Sequence, residues 1–406
     1  MAGFLVLLVA VSCLGAYLLL GLAIRYRARL RTAAIEESGT EYSPRATVIV
    51  PCKGIDLDFE RNVLALLEQD YADYSVIFVT QDQDDPAYAH LARLVSRFPD
   101  RARLTTAGLA SGRCQKVHNQ LAALQLADRS AEIFVFVDSD GYLNRRFLKR
   151  LIAPMSNPSV GITTGYRWFV PVHRRIAEIV AVLWAAVEDA VLADPQFTHP
   201  WGGAMAIRRE VFEQLDMTRV WSGASTDDTA LGWAARRAGV HIVFEPRAAV
   251  PSAVDYSLSQ FMAFGTRQLL LLRVYFPEMW WQLLALTAIA ALAPAVGLVL
   301  IITGLMIDPT MLVIGLALMA AGLASVFSTA TIARSTEHLL TALGQPVTPL
   351  ALWDFLAAPL GAILLLAQFA RSGWTRRVEW RGVTYEFLAP DRTVVHNSTN
   401  GERINE

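Results

Sequence analysis

The sequence predicts an α/β layered domain held between membrane-spanning segments. Three observations predict it. Between residues 46 and 250, short apolar stretches of strand length alternate with amphipathic helical stretches, the pattern of strands layered against helices. Apolar runs flank that region on both sides, and about 20 residues of helix suffice to cross a bilayer. The composition is mixed: 54% hydrophobic and 18% charged, with a mean hydropathy of +0.35. That is too apolar for an ordinary water-soluble chain and too charged for a wholly embedded one.

The net charge of −1 carries no sign of nucleic-acid binding, and no nucleic-acid partner is expected. Cys13, Cys52 and Cys114 lack metal-ligand spacing and suit a reducing compartment without a disulfide framework.

In chain order, residues 4–24 are continuously apolar, with no basic residue before them, so they read as an anchor (residues 1–25) rather than a signal peptide. Arg25, Arg27, Arg29 and Arg31 come next, and the positive-inside rule then places this end, and the domain over residues 46–275, in the cytoplasm. The Ala- and Arg-rich composition suggests a bacterium with a GC-rich genome, and the inner membrane is then the expected location. Residues 36–45 form a polar linker.

Residues 47–51 read as the first strand, followed by a loop carrying Lys53 and Asp56. Residues 59–69 form a helix with Val63, Leu64, Leu66 and Leu67 on one face. A second strand, residues 74–80, ends in a loop with Asp82, and helices come after it at 87–98 and 115–127, the latter opened by Gly112, Arg113 and Lys116. Residues 133–137 are a buried strand running straight into Asp138-Ser139-Asp140. Ligands of open α/β sheets sit beyond the carboxyl ends of the strands. Two Asp separated by one residue there can offer oxygens to one hard cation, which in turn can hold a diphosphate; a solvated Asp-rich turn is the other reading. Three strands ending in loops with Lys53 and Asp56, Asp82, and Asp138 with Asp140 point to a site for a charged nucleotide and its metal.

Beyond Asp140 the pattern is less regular, with a helix over 145–152 and a strand over 160–164. Residues 176–192 are apolar on most sides and fit either a core helix or a helix at the membrane interface beside an acceptor pocket. Asp227 and Asp228 open a helix running to residue 238, and by position alone either is a helix cap. Residues 256–273 are amphipathic, with Arg267 and Gln268 on the polar side. Apolar runs at 279–307, 311–333 and 350–370 predict about three spans, before a polar tail over 371–406. Arg371, Arg376, Arg377 and Arg381 put that tail in the cytoplasm, whereas three crossings from a cytoplasmic domain put it outside. A re-entrant segment reconciles the two; basic residues on the outer surface are the alternative.

The stretches Pro51-Cys52-Lys53-Gly54-Ile55-Asp56, Gln81 to Pro86, Lys116-Val117-His118-Asn119, Asp138-Ser139-Asp140, Gly203-Ala204-Met205, Asp227-Asp228 and Ser257 to Phe261 occur in the order and spacing of a known family. Over residues 47–277 the chain resembles the family-two type of inverting glycosyltransferase with a GT-A fold. It is more closely similar to ceramide glucosyltransferase and its bacterial lipid-glycosylating relatives. The resemblance implies an enzyme moving a hexose, glucose foremost, from a nucleotide sugar, UDP-linked foremost, to a membrane lipid hydroxyl, with Mn2+ or Mg2+ as cofactor. Ceramide is the first acceptor implied, with a hopanoid or other bacterial lipid close behind.

By the same resemblance Asp82 contacts the uridine, Asp138 and Asp140 hold the metal against the diphosphate, and Lys53, Asp56 and Lys116 fall in nucleotide-contacting segments. Asp228 is implied as the base that takes the acceptor's proton. A base on a loop separate from the metal pair suits an inverting, in-line displacement. Two departures stand out. The family's helix after the base carries a basic residue or Gln, two variable residues, then Arg-Trp; here the positions are Phe264-Gly265-Thr266-Arg267-Gln268, so Arg267 is kept and the Trp has become Gln268. Asp140 stands where ceramide enzymes have Gly. A processive polysaccharide synthase, which an intact Arg-Trp would favour, and a non-catalytic scaffold, which loss of Asp138, Asp140 or Asp228 would favour, are the competing readings.

Overall fold

The computed structural model describes residues 2–35 and 42–396; the linker residues 36–41 and the end of the tail, 397–406, lie outside the described residues. The strands of the domain between the apolar helices, the one expected to be catalytic, are β1 (Ala46–Pro51), β2 (Tyr74–Thr80), β3 (Ala102–Thr106), β4 (Ile133–Val137), β5 (Val160–Thr164), β6 (Arg167–Pro171), β7 (Ala204–Arg208), β8 (His241–Phe244) and β9 (Val250–Val254). Seven of them form one sheet in the order β3-β2-β1-β4-β7-β5-β8. The β1–β2, β1–β4, β2–β3 and β5–β8 pairs are parallel, and β7 runs antiparallel to both neighbours. This is the α/β class that the alternating pattern predicts.

β1 and β4 are apolar along their length because both faces are covered. Val48 and Val50 point into one helical layer, while Ile49 and Phe136 point into the other. Successive strands step outward from β1 on one side and from β4 on the other, so the gap between these two strand ends is the switch point of the sheet. Five strands, β3 and β6 to β9, are not among the four that the sequence pattern predicts. β3 (Ala-Arg-Leu-Thr-Thr) is an edge strand with no continuous apolar run, and β6, whose apolar run Trp168-Phe169-Val170 is short, pairs only with β9 in a separate parallel ribbon.

The helix Ile176–Leu192 is buried along most of its length, packed against β6 and against the helix Pro309–Ala342. Four helical segments are long and apolar enough to cross a membrane: Leu5–Ala34, Pro277–Met306, Pro309–Ala342 and Leu352–Trp374. The helix Pro309–Ala342 continues past the apolar run because its polar residues find partners. Thr336 meets Tyr26 (2.9 Å) and Asp189 (3.3 Å), and Glu337 accepts from the Leu350 N–H (2.7 Å).

The last apolar segment begins and ends beside the catalytic domain. At its start Arg174 pairs with Asp354 and donates to the Pro349 carbonyl; at its end Arg273 donates to the carbonyls of Gly373 and Thr375. The chain beyond Trp374 is more than a polar tail. β10 (Arg377–Trp380), β11 (Val383–Ala389) and β12 (Arg392–His396) form an antiparallel sheet packed on the catalytic domain. The alternation Val383, Tyr385, Phe387 puts apolar groups inward, and Tyr385 and Phe387 are fully buried in the layer that holds Phe136 and Trp221. Tail and catalytic domain therefore lie on the same side of the apolar helices.

Candidate active site

A cavity of about 660 Å³ opens at the carboxyl ends of β1 and β4. Lys53, Asp56, Lys116, Asp138, Asp140, Asp228, Arg267 and Gln268 all line it. Asp82 does not line it. β2 lies one strand further out, and the Asp82 carboxylate is engaged by its own loop, accepting from Gln81 Nε2 (2.8 Å) and the Asp84 N–H (3.0 Å).

Asp138 and Asp140 sit side by side at the end of β4 and are bridged by cations. Lys116 Nζ lies 2.8 Å from Asp138, and Arg167 lies 3.6 Å from Asp138 and 3.2 Å from Asp140. Burial pushes the Asp138 carboxyl up, against the pull of Lys116 and Arg167. Burial alone would lower Lys116, but Asp138, Asp227 and Asp228 outweigh it and keep the ammonium charged.

The Asp227–Asp228 pair divides its work. Asp227 is buried and binds Lys116 Nζ (3.1 Å) and Gln120 Nε2 (2.7 Å), so its carboxylate serves the scaffold. Asp228 faces the cavity and accepts from Thr226 Oγ1 (2.7 Å), the Thr229 N–H (2.6 Å) and the Gly202 N–H (2.9 Å). Burial by itself raises this carboxyl; Lys116 and these donors outweigh it and hold it below the usual carboxylate range.

Lys53 and Arg267 differ from the other cations. Among the described residues neither side chain has a hydrogen bond or an ion pair, and Arg267 is held only by the rings of Trp380 (4.6 Å) and Phe264 (5.6 Å). Burial lowers Arg267 from its ordinary value without removing its charge.

Sequence reasoning missed Arg167, Trp201, Trp380 and Arg381, all on the cavity wall. Arg167 stacks over Trp201 (5.2 Å) as well as bridging the acidic pair. Its signal was an Arg in a strand-like stretch just after β5. For Trp380 and Arg381 the signal was Trp-Arg-Gly between two alternating stretches, a hairpin pattern.

The sequence model of glycosyl transferase family 21 matches residues 5–392. The chain belongs to glycosyl transferase family 21. The resemblance to family two thus resolves to a different numbered family. Among solved structures, the chain is similar to a mannosyltransferase from Pyrobaculum calidifontis in complex with GDP-Man and Mn2+, at 21% identity, over 90% of this chain and 99% of that one, with a TM-score of 0.50. It is also similar to glucosyl-3-phosphoglycerate synthase from Mycobacterium tuberculosis in complex with Mn2+, UDP-Glc and glycerol 3-phosphate, at 16% identity, over 61% of this chain and 82% of that one, with a TM-score of 0.37. The first likeness is one of fold, and the fold of this family 21 chain is GT-A.

Proposed function

We propose that this family 21 chain moves a hexose, glucose foremost, from a UDP-linked donor to a lipid hydroxyl such as that of ceramide. One observation carries the reading: two unpaired cations, Lys53 and Arg267, face the same cavity as the Asp138–Asp140 pair. Arg267 is withdrawn from water and Lys53 is half-buried, and a diphosphate with its cation would answer both charges at once.

Among the described residues no group of three or more His, Cys, Asp or Glu side chains could hold a metal alone. A pair of carboxylates still suits Mn2+ or Mg2+ in a nucleotide site, where such ions take one or two carboxylates and complete their shell with phosphates and water. Asp138 and Asp140 would hold that cation. When bound, it supplies positive charge that stabilises the departing diphosphate. Lys53, Asp56, Lys116, Arg267 and Gln268 bind the rest of the donor. Asp82 stands at the end of β2, beside β1, where the base end of a nucleotide lying along the strand ends would meet it.

In the transfer itself Asp228 takes the proton of the acceptor hydroxyl. The acceptor oxygen forms a bond to the anomeric carbon while the bond from that carbon to the diphosphate oxygen breaks, and the bonding pair leaves with the nucleoside diphosphate. The lipid side of the reading rests on the aromatic wall. Phe169, Tyr256 and Phe264 line the cavity, and Phe264 packs on Trp184 (5.4 Å) of the helix Ile176–Leu192, which abuts the apolar helices. A hopanoid would suit that wall too.

The test is a transfer assay on detergent-solubilised protein with a panel of labelled nucleotide sugars and total host lipid. It is run with Mn2+, with Mg2+ and with EDTA, beside Asp228→Asn. A labelled lipid that needs metal and disappears in the variant is the expected result. A labelled polymer would replace this reading with a polysaccharide synthase, and no transfer from any donor would sink it.

The catalytic side is proposed to face the cytoplasm of a bacterial inner membrane, supported by Arg25, Arg27, Arg29 and Arg31 at the domain end of the first helix. Since the segment Leu352–Trp374 starts and ends beside the domain, it need not cross, and three crossings leave the tail cytoplasmic. A cysteine at Asp308 should then react with an impermeant reagent on spheroplasts, in a Cys13→Ala background, while one at Arg376 should not. The reverse pattern would invert the topology.

A further inference from the structure

We propose that the tip of the β10–β11 hairpin completes the donor site, with Arg381 as a ligand of the diphosphate and Trp380 as the platform that positions Arg267. The proposal rests on the nucleotide-sugar reading above and goes beyond it by assigning a role to a segment that lies past the apolar helices.

The tip is a two-residue turn between the paired residues Trp380 and Val383. Arg381 (φ 53°) and Gly382 (φ 75°) both lie in the left-handed region, as tight hairpin turns of this kind require. Gly382 adopts that conformation freely. Arg381 does not, and its guanidinium is held in place by the bonds it makes. That place is the donor end of the cavity. Arg381 donates to the Lys53 carbonyl (3.2 Å) and to Asp56 (2.8 Å). Asp56 in turn accepts from Ser139 Oγ (3.3 Å), the residue between Asp138 and Asp140. Arg381 is thus one contact from the acidic pair, and its side chain remains 42% exposed.

Trp380 explains the departure on the helix Leu258–Tyr275. Gln268 occupies the position where the resembling family has Trp after Arg, and here the aromatic partner of Arg267 comes from the hairpin, 4.6 Å away. Stacking fixes the guanidinium plane and leaves its N–H groups free for a phosphate.

The hairpin is anchored where it would need to be. A side chain at Gly223 would collide with the Asp391 carbonyl, Thr393 bonds Ser225 Oγ and the Gly223 carbonyl (both 3.0 Å), and Tyr385 accepts from the Gln115 N–H (3.3 Å). These contacts tie the sheet to the loop before Asp228 and to the helix that carries Lys116. The base is fixed and the tip is open. A diphosphate entering beside Asp138 offers Arg381 more negative charge than the single carboxylate of Asp56, in the planar geometry a guanidinium matches best.

The test is calorimetric titration of the full chain in detergent with UDP and GDP in the presence of Mn2+, each beside its monophosphate. Arg381→Ala should weaken the diphosphate about 10- to 100-fold and the monophosphate by less than about 3-fold, as expected for losing charge-assisted bonds to the second phosphate. Arg381→Lys should recover part of the loss, and Trp380→Phe should bind better than Trp380→Ala. Equal losses for mono- and diphosphate would mean a structural role only and overturn the proposal, as would wild-type diphosphate affinity in Arg381→Ala. Failure of the wild-type chain to bind either diphosphate would instead sink the donor-site reading itself, and the proposal with it.

Discussion

Asp228 in the cavity and Glu188 in the seam below the apolar helices are both carboxylates withdrawn from water, yet their surroundings drive them in opposite directions. Asp228 faces Lys116 and a set of N–H and hydroxyl donors, which hold it below the usual range despite burial. Burial dominates at Glu188, whose one partner is the Tyr166 hydroxyl, and the group is pushed up to about 7. Its neighbour Asp189 rises likewise to about 7, bonded to the hydroxyls of Tyr26 and Thr336 and helped only by the more distant Arg29. A neutral hydroxyl satisfies the geometry of a carboxylate; only a cation or several converging donors offset the loss of water around its charge. Asp228 is therefore built to be ionised, and the two acids of the seam to be neutral.

The sharpest way to break that contrast is to remove the charge at Asp228. Asp228→Asn keeps the shape and most of the hydrogen bonds but cannot take a proton. It should lower kcat by about 10²- to 10⁴-fold, the usual worth of a general base, while leaving affinity for nucleoside diphosphate within a small factor. Transfer and titration measured on the same preparation would check it. A loss of donor binding would instead make Asp228 a structural cap. On acidification Asp228 should keep its charge longer than an ordinary carboxyl, because Lys116 and its hydrogen-bond donors hold it under its ordinary value.

The acidic pair at the end of β4 offers the next test. Asp140→Asn removes half of the charge available to a divalent cation and should raise the Mn2+ needed for half-maximal nucleotide binding by more than about tenfold. EDTA should abolish that binding in both forms. Arg167→Gln acts in the other direction. Its guanidinium occupies the oxygens of Asp140 and lies near Asp138, so its loss should lower the Mn2+ requirement severalfold even if transfer slows. An unchanged Mn2+ requirement in both variants would show that this pair is not the cation's seat.

How far these features were legible from residues alone depends on the same physics. The ends of β1 and β4 could be read because continuous β-branched runs stop abruptly at Lys53 and Asp138, a strong local signal. By position alone Asp227 and Asp228 could not be told apart, and only the family resemblance singled out Asp228, because which of the two turns inward depends on Lys116 and Gln120, residues distant in the chain. Arg167 and the hairpin were hidden for another reason. Their strands are short and polar on one face, and Arg-rich segments read as solvated tails until a partner surface is known. Asp82 is a carboxylate at a strand end whose oxygens accept from its own loop, a local contact that the strand pattern did not foretell.

The smallest effect expected is in stability, and it probes the seam. Glu188 and Asp189 bind their protons more tightly in the folded chain than in the unfolded one, where they would titrate near about 4. The contribution to stability is therefore complete only below about pH 4 and is lost progressively as pH rises from there through about 7, since folding then has to keep two groups neutral that water would ionise. The melting temperature in detergent should fall by several degrees between pH 5.5 and pH 8, since at the acid end the folded chain holds up to about two more protons than the unfolded one. Glu188→Gln should flatten that slope at little cost, because the amide keeps an oxygen for the Tyr166 hydroxyl and removes the group that ionises. Asp228→Asn, tested alongside, should leave the slope between pH 5.5 and pH 8 unaltered, since that carboxylate is already charged throughout the range. A slope that tracked Asp228 rather than Glu188 would mean that the seam, and not the cavity, holds the permanently charged acids.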